Sequence, residues 1–110
     1  MTLVQTPTYS PLMIDASYKD NAAQEVQEVQ DALRFGKCLG FYVHKMKKTI
    51  AFVLVQKIDA TSFFVSHLFI DRTFLSQNID IGGEILEVLT ETLTEDYMAE
   101  KIIFGDGLDI

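Results

Sequence analysis

The spacing of apolar residues predicts two helices with strands between them. In residues 21–35 apolar side chains recur every three or four positions and polar side chains fill the gaps; the apolar set is Ala22, Val26, Val29 and Leu33. Asp20 or Asn21 can cap this helix, and Gly36 follows where a helix end is expected. The same spacing in residues 81–97 predicts a second helix with a buried stripe of Ile81, Ile85, Val88, Leu89, Thr92 and Leu93.

Three runs between these helices have the composition of strands. Residues 38–44, 49–57 and 62–71 are rich in β-branched and aromatic residues, and short turns join them. Connections this short imply antiparallel neighbours, so the runs predict a three-strand meander. Both alternating sets of positions in the middle run are apolar, which predicts a sheet that is covered on both faces.

The remaining segments complete the predicted fold. Residues 102–104 form a short apolar run after the second helix, and a helical crossover places such a strand parallel to its neighbour. The predicted class is α+β (mixed α/β), with helices on both sheet faces and the order helix, antiparallel three-strand meander, long helix, final parallel strand. Residues 21–110 are predicted to be one domain. Residues 1–20, which contain Pro7 and Pro11, are predicted to form an N-terminal arm that is either loosely ordered or packed on a neighbouring chain.

Length and composition narrow the class of protein. With 110 residues, 48% of them hydrophobic, the chain has the size and composition of one globular domain. Cys38 is the only cysteine, which excludes an intrachain disulfide, and no Cys/His cluster suggests a zinc site. No apolar run approaches the roughly 20 residues that cross a bilayer, and the N-terminus lacks the pattern of a signal peptide. We therefore expect a cytoplasmic, intracellular protein without a membrane partner.

The net charge of −7 is unevenly distributed along the chain. Residues 1–60 contain seven Lys or Arg and six Asp or Glu, whereas residues 61–110 contain two and ten. An acidic protein is repelled by phosphate backbones, so general nucleic-acid binding is disfavoured. The acidic outer face of the second helix is interpreted either as solvated surface or as a site for a basic substrate; it contains Glu84, Glu87, Glu91 and Glu95. A lysine-rich turn either is solvated or contacts an acidic partner; it contains Lys45, Lys47 and Lys48.

The residues at the start of the second helix carry a motif. Gln77 is followed by Asp80 at the third position and Gly82 at the fifth, and residues 66–71 form the strand-like run before them. This pattern resembles the Gln/Arg-x-x-Gly-x-Gly/Ala loop of the GNAT superfamily of N-acetyltransferases. The order of predicted elements over residues 21–104 resembles the central part of that family's fold. In the family, backbone amides of the loop and the helix N-terminus bind the pyrophosphate of acetyl-CoA, as expected for an anion at a helix start.

The resemblance implies a cofactor site and its residues. Acetyl-CoA is the implied cofactor, with its pantetheine arm paired to the strand backbone near Leu68 and Ile70. The implied pyrophosphate loop consists of Gln77, Asn78, Ile79, Asp80, Ile81, Gly82 and Gly83. Asp80 replaces the middle glycine of the family pattern, so a carboxylate would face the pyrophosphate. A second register over residues 76–80 also matches the loop, with both glycines lost.

Two functions remain open at this point. The first is binding of acetyl-CoA with transfer of the acetyl group to an amine, for which the resemblance assigns no catalytic residue. The second is a non-catalytic interaction or assembly protein, for example a phage or virion component, that keeps the GNAT-like fold. The family usually continues with a further helix and two strands, whereas this chain ends at Ile110. We therefore expect either that a homo-oligomer or protein partner completes the sheet or that catalysis is lost.

Four titratable side chains have roles that depend on where the fold places them. His67 alternates with Phe63, Val65 and Phe69 and is either a packed histidine or a general base. His44 is expected to be exposed at a strand end, and Cys38 is expected to be a small core residue. Tyr97 is expected to anchor the end of the second helix to the core.

Overall fold

One mixed sheet and one long helix make up most of the described part of the chain, which in this computed structural model comprises residues 1–5, 27, 31, 38–72 and 80–105. The elements are β1 (Thr2–Gln5), β2 (Cys38–Lys45), β3 (Lys48–Lys57), β4 (Ser62–Ile70), helix α1 (Ile81–Asp96) and β5 (Lys101–Phe104). The sheet order is β1-β2-β3-β4-β5, antiparallel from β1 to β4 and parallel between β4 and β5. The predicted meander, long helix and final parallel strand are confirmed.

β1 lies within the segment that was predicted to be an arm. It pairs with β2, from Thr2 opposite His44 to Gln5 opposite Phe41. In the structure these four residues extend the sheet by one strand. Its four residues are too few to give a periodic signal, and only Leu3 is half-buried. The rest of the predicted arm, residues 6–20, lies outside the described residues.

The first predicted helix is described at two positions. Gln27 and Asp31 are both helical, and the Gln27 side-chain amide donates a hydrogen bond of 3.1 Å to the Asp31 carboxylate one turn later. The other residues of the segment 21–35 lie outside the described residues, so the bounds of this helix stay a prediction.

α1 packs across one face of the sheet through the predicted stripe. Its buried apolar side chains are Ile81, Ile85, Leu89 and Leu93. They join a core whose strand side chains include Phe41, Val43, Val53, Val55, Phe63, Val65, Leu68 and Ile70. Val88 and Thr92 are only half-buried. Full burial of one such aliphatic side chain contributes roughly 1.5–3 kcal/mol, so this stripe fixes the position of α1.

The opposite face of the sheet is apolar and buried as well. Phe52, Leu54 and Phe69 each expose 1% of their surface or less. Aromatic rings follow one another across the strands, with centroids 5.4 Å apart for Tyr42 and Phe52 and 6.4 Å apart for Phe52 and Phe69. Both faces of β3 are therefore buried, as its two-sided apolar pattern predicted.

Tyr97 joins the end of α1 to the first strand. Its hydroxyl donates a hydrogen bond of 2.9 Å to the side-chain oxygen of Gln5, and its ring packs edge-on against Phe41 and Phe63. Burial, and secondly the charge of Asp96, raises the pKa of the Tyr97 hydroxyl and keeps it protonated as a donor. These contacts confirm the predicted anchor at the helix end.

α1 ends with a left-handed residue that is not glycine. The N–H groups of Tyr97 and Ala99 both donate to the Leu93 carbonyl, and Met98 between them has φ 56°. Glycine usually occupies this position, because a Cβ in the left-handed region costs about 1–2 kcal/mol.

We expect Met98→Gly to raise the free energy of unfolding by about 0.5–1 kcal/mol, since glycine relieves this strain. The gain is only partial because glycine also increases the conformational entropy of the unfolded chain. Met98 is 77% exposed, so little packing is lost. Urea unfolding measures the difference. Met98→Ala is the matched control, because it shortens the side chain but keeps the Cβ, and we expect a change below about 0.3 kcal/mol. Equal stabilisation by both variants would contradict the strain argument.

Candidate functional site

β4 and β5 separate partway along β4. β5 pairs with the residues from Ser62 to Val65, and just beyond this pairing the Gly105 N–H donates a hydrogen bond of 2.9 Å to the Val65 carbonyl. β4 continues to Ile70, about 17 Å further at about 3.3 Å per residue. No strand among the described residues pairs with this half of β4 on the side away from β3. We call this open stretch, residues 66–70, the β4 edge.

A β-bulge at Ser66 begins the β4 edge. On β3, Leu54 lies opposite His67 and Val55 lies opposite Val65, so Ser66 is an extra residue without a partner in the register. A bulge residue stays outside the ladder of hydrogen bonds and bends its strand. The bend therefore lies where β4 leaves β5.

The bulge also changes which way the residues of β4 point. Before it the odd-numbered side chains lie in the core under α1, and after it Leu68 and Ile70 do. Backbone groups alternate in the same way. Because the Asp71 N–H donates to the Ile50 carbonyl of β3, the N–H and C=O groups of Leu68 and Ile70 point away from β3, along the β4 edge.

α1 begins with Asp80 as its N-cap. The Glu84 N–H donates a hydrogen bond of 3.1 Å to the Asp80 carbonyl, so the N–H groups of Ile81, Gly82 and Gly83 precede this first helical bond. The Asp80 side chain makes no capping hydrogen bond. Unbonded N–H groups at a helix start, together with the helix dipole, favour a negatively charged ligand.

The backbone at Asp80 does not require glycine. Its φ of −97° and ψ of 13° lie in a region that side-chain-bearing residues can adopt. The aspartate at this position therefore adds a negative charge without straining the backbone. Gly83 is equally unconstrained, since it is exposed and a Cβ built on it meets no atom within 4 Å.

A lysine of the β2–β3 hairpin contacts the first turn of α1. Lys45 Nζ lies 3.5 Å from Glu84 Oε2. The hairpin turns through Met46 and Lys47, whose φ values of 54° and 64° are those of a type I′ turn. β2 and β4 run in the same direction, so this contact places the start of α1 at the end of the sheet where β4 finishes.

The predicted site residues divide into two groups. Leu68 and Ile70 lie on the β4 edge. The start of α1 contains four further predicted residues, Asp80, Ile81, Gly82 and Gly83. Gln77, Asn78 and Ile79 lie in residues 73–79, outside the described residues, and their role stays a prediction.

Ser66 and His67 are a hydrogen-bonded pair that the sequence did not single out as a unit. The Ser66 hydroxyl donates to the Leu54 carbonyl at 3.3 Å, and His67 Nδ1 lies 3.0 Å from Ser66 Oγ. The His67 ring stacks on Phe69 at 5.9 Å. The sequence pattern placed His67 on one face with Phe63 and Val65, and the bulge moves it to the opposite face. A bulge has no periodic pattern in the sequence, so the sequence does not predict that Ser66 and His67 form a pair.

The other titratable candidates have structural contacts. Cys38 is half-buried, and burial raises the pKa of its thiol, which disfavours the nucleophilic thiolate. His44 Nδ1 lies 3.1 Å from Thr49 Oγ1. Within the described ranges no three His, Cys, Asp or Glu side chains come together as a metal site, and no helix has the length and apolarity to span a membrane.

Solved acetyltransferase structures have this fold. A GNAT family acetyltransferase from Elizabethkingia anophelis, solved with acetyl-CoA bound, superimposes with a TM-score of 0.67 at 15% identity, covering 96% of this chain and 65% of that one. A ribosomal-protein-alanine N-acetyltransferase from Brucella melitensis biovar Abortus 2308 gives 0.63 at 14% identity, covering 96% and 80%. An aminoglycoside acetyltransferase from an uncultured soil metagenomic sample, in complex with sisomicin, gives 0.51 at 15% identity, covering 78% and 63%.

These similarities concern the fold. No protein-family model matches the chain, and no curated protein matches it in sequence. The chain spans about two thirds of the Elizabethkingia enzyme's length. The sheet order, the crossover helix and these superpositions together show that the chain has a GNAT-like fold.

Gly105 and Gly83 lead to opposite expectations for a change to alanine. A Cβ on Gly105 would lie 2.8 Å from Phe64 Cζ and 3.1 Å from the Val65 carbonyl oxygen, so we expect Gly105→Ala to lower the free energy of unfolding by about 1–3 kcal/mol. Gly83→Ala adds a Cβ in open space within a helix, and we expect a gain of about 0.5–1 kcal/mol. Urea unfolding measures both. Two effects of the same sign would contradict this description of the junction of β4 and β5.

Proposed function

We propose that this chain binds acetyl-CoA, with the pantetheine arm along the β4 edge and the pyrophosphate at the start of α1. The observation that carries the proposal is the direction of the Leu68 and Ile70 backbone groups, which point away from β3 where β5 no longer pairs with β4. Pantetheine is an extended chain with two amide groups, so it can pair with this edge as an added strand does. The acetyl-CoA bound to the Elizabethkingia enzyme of the same fold supports this choice of ligand.

The pyrophosphate end of the ligand is assigned to the N–H groups that open α1. Ile81, Gly82 and Gly83 supply these groups, and Gln77, Asn78 and Ile79 complete the loop in this proposal. Two carboxylates oppose an anion here, those of Asp80 and Glu84. Lys45 offsets the second of them through its ion pair at 3.5 Å. Asp80 makes no capping hydrogen bond, so its charge is the one that weakens binding.

The reaction proposed for the bound ligand is transfer of its acetyl group to an amine. The bulge at Ser66 lies at the inner end of the β4 edge, where the thioester end of an extended pantetheine arm would lie. The backbone amide of a bulge residue lies outside the ladder and can donate to a carbonyl oxygen that becomes negative during attack. The acceptor is a primary amine in this proposal.

A second function is favoured by one separate observation. β5 exposes apolar side chains, with Ile103 37% and Phe104 45% exposed. An edge strand of this kind pairs with a strand of another chain, which is the non-catalytic assembly role. A homo-oligomer or protein partner would then complete the sheet beyond β5.

The melting temperature of the purified chain against acetyl-CoA tests the first function. A ligand at 100 times its Kd that binds only the folded state adds about 2.7 kcal/mol, so we expect a saturable rise on the order of 10 °C. ATP is the control ligand, because it has the phosphates but no pantetheine arm. A flat titration to millimolar acetyl-CoA, or an equal rise with ATP, would contradict binding along the β4 edge. A mass that grows with concentration in sedimentation would then favour the assembly role.

The charge of Asp80 provides a second test of the phosphate position. We expect Asp80→Asn to lower the Kd of acetyl-CoA about three- to tenfold, because the substitution removes a negative charge beside the pyrophosphate and leaves the backbone unstrained. Isothermal titration at low salt measures it. Glu95→Gln is the matched control, since it removes the same charge near the other end of α1, and it should leave the Kd within about twofold. Equal effects of the two variants would mean that the phosphates lie elsewhere.

A further inference from the structure

The β2–β3 hairpin concentrates positive charge in an acidic protein. Three of the nine Lys and Arg residues of the chain lie within four consecutive positions, at Lys45, Lys47 and Lys48, although the net charge of the chain is −7. Residues 46–48 of this hairpin are exposed, and Lys45 is half-buried. A local concentration of one sign of charge raises the local concentration of ligands with the opposite sign. The hairpin is therefore a surface that favours an anion.

Lys45 and Lys48 point to the same side of the sheet. They lie opposite each other in the register of β2 and β3, and residues opposite each other have their side chains on one face. Lys45 contacts Glu84 of α1, so this face is the one that α1 covers. Like charges directly opposite each other destabilise an antiparallel pair. Glu84 offsets one of the two charges, whereas Lys48 has no ion pair among the described residues.

The two lysines lie beside the start of α1. Side chains of a helix tilt toward its N-terminus, so the Glu84 carboxylate lies alongside the turn formed by residues 80–83. The Lys45 ammonium is 3.5 Å from that carboxylate, which places it about one side chain away from the N–H groups of Gly82 and Gly83. An anionic group bound by the lysines is therefore a close neighbour of an anion on those N–H groups, but separate from it.

Acetyl-CoA carries two anionic groups with this relation to each other. Its pyrophosphate and its 3′-phosphate are attached to the same ribose, so the second anion lies one sugar away from the first. The 3′-phosphate is a monoester, and a phosphate monoester carries about −1.5 to −2 charges at pH 7. A lysine ammonium binds such a group as a point charge with three N–H donors. The chemistry and the spacing of the lysine pair therefore fit the 3′-phosphate.

We propose that Lys45 and Lys48 bind the 3′-phosphate of acetyl-CoA, so that the β2–β3 hairpin makes the site selective for ligands that carry this phosphate. This inference rests on the proposed function. The ammonium of Lys48 is available for the phosphate, and that of Lys45 has donors beyond its contact with Glu84. With Lys47, the hairpin has three ammonium groups against the two carboxylates of Asp80 and Glu84 at the helix start.

The ratio of two Kd values measures this contact, that of acetyl-3′-dephospho-CoA divided by that of acetyl-CoA. Isothermal titration in about 0.1 M salt gives both constants. We expect a wild-type ratio of about five to twenty, because the dephospho ligand lacks the group that the lysines bind. Lys48→Gln should raise the Kd of acetyl-CoA about three- to tenfold and change that of the dephospho ligand less than about twofold. Lys48 is exposed, so the substitution leaves the core intact.

Two further variants separate a direct contact from a general effect of charge. Lys57→Gln is the matched control, because it removes the same charge from the other end of β3, about 30 Å away, and it should leave the ratio unchanged. The double variant Lys45→Gln with Glu84→Gln removes the ion pair without changing the net charge. If Lys45 binds the 3′-phosphate, this double variant lowers the ratio. A ratio equal to that of the wild type would mean that Lys45 acts only by offsetting Glu84, and would overturn its contact with the phosphate.

The outcomes separate this inference from the proposed function. A flat acetyl-CoA titration overturns both. Saturable binding in which the wild type does not distinguish the two ligands, or in which Lys48→Gln weakens both of them equally, overturns the 3′-phosphate contact and leaves binding along the β4 edge in place.

Discussion

One extra residue in β4 is the constraint on which the rest of the site depends. Without the bulge at Ser66, the alternation of β4 would continue unchanged, and His67 would point into the apolar core under α1. A shift of one residue moves every later side chain to the other face of a sheet. With the bulge, Leu68 and Ile70 fill the core and their backbone groups lie along the edge that β5 has left. The same residue therefore sets both which side chains of β4 fill the core and which of its backbone groups face the open edge.

The position of the start of α1 follows from burial along the helix and not from the contacts at that start. Four aliphatic side chains of the helix are fully buried, whereas the visible interactions at its start are one exposed ion pair between Lys45 and Glu84 and an aspartate that makes no cap. Exposed ion pairs contribute about 0–1 kcal/mol, much less than the stripe. The start of α1 is thus held at the end of β4 by packing elsewhere in the helix. The position of this helix start therefore does not depend on a side-chain cap from Asp80.

The sequence predicts the parts of this fold that repeat with a period and misses the parts that break one. The stripe of α1 repeats every three to four residues and β3 is a long continuous apolar run, and both were predicted with nearly their observed bounds. β1 has four residues and one half-buried side chain, too little for a pattern. The bulge at Ser66 could not be predicted for a different reason. Phe63, Val65, His67 and Phe69 occupy every second position of the sequence, as in a regular strand, although the structure places them on two faces of the sheet. The motif at the start of α1 predicts where the candidate site lies. The other part of the site, the β4 edge, depends on the bulge, which no motif predicts.

The character of the β4 edge is a physical reason for our preference between the two candidate functions. Edge strands are usually protected from other strands by lysine, proline or inward charges, and residues 66–70 contain neither lysine nor proline. Such an edge accepts an extended chain with amide groups, and both a peptide strand and pantetheine meet that description. The difference lies at the end of the edge, where the N–H groups of Ile81, Gly82 and Gly83 favour an anion that a peptide strand does not supply. An edge that ends at a helix start therefore suits the ligand that we propose, with amides along its length and phosphate at one end, and the side-chain charge that opposes such a ligand is that of Asp80.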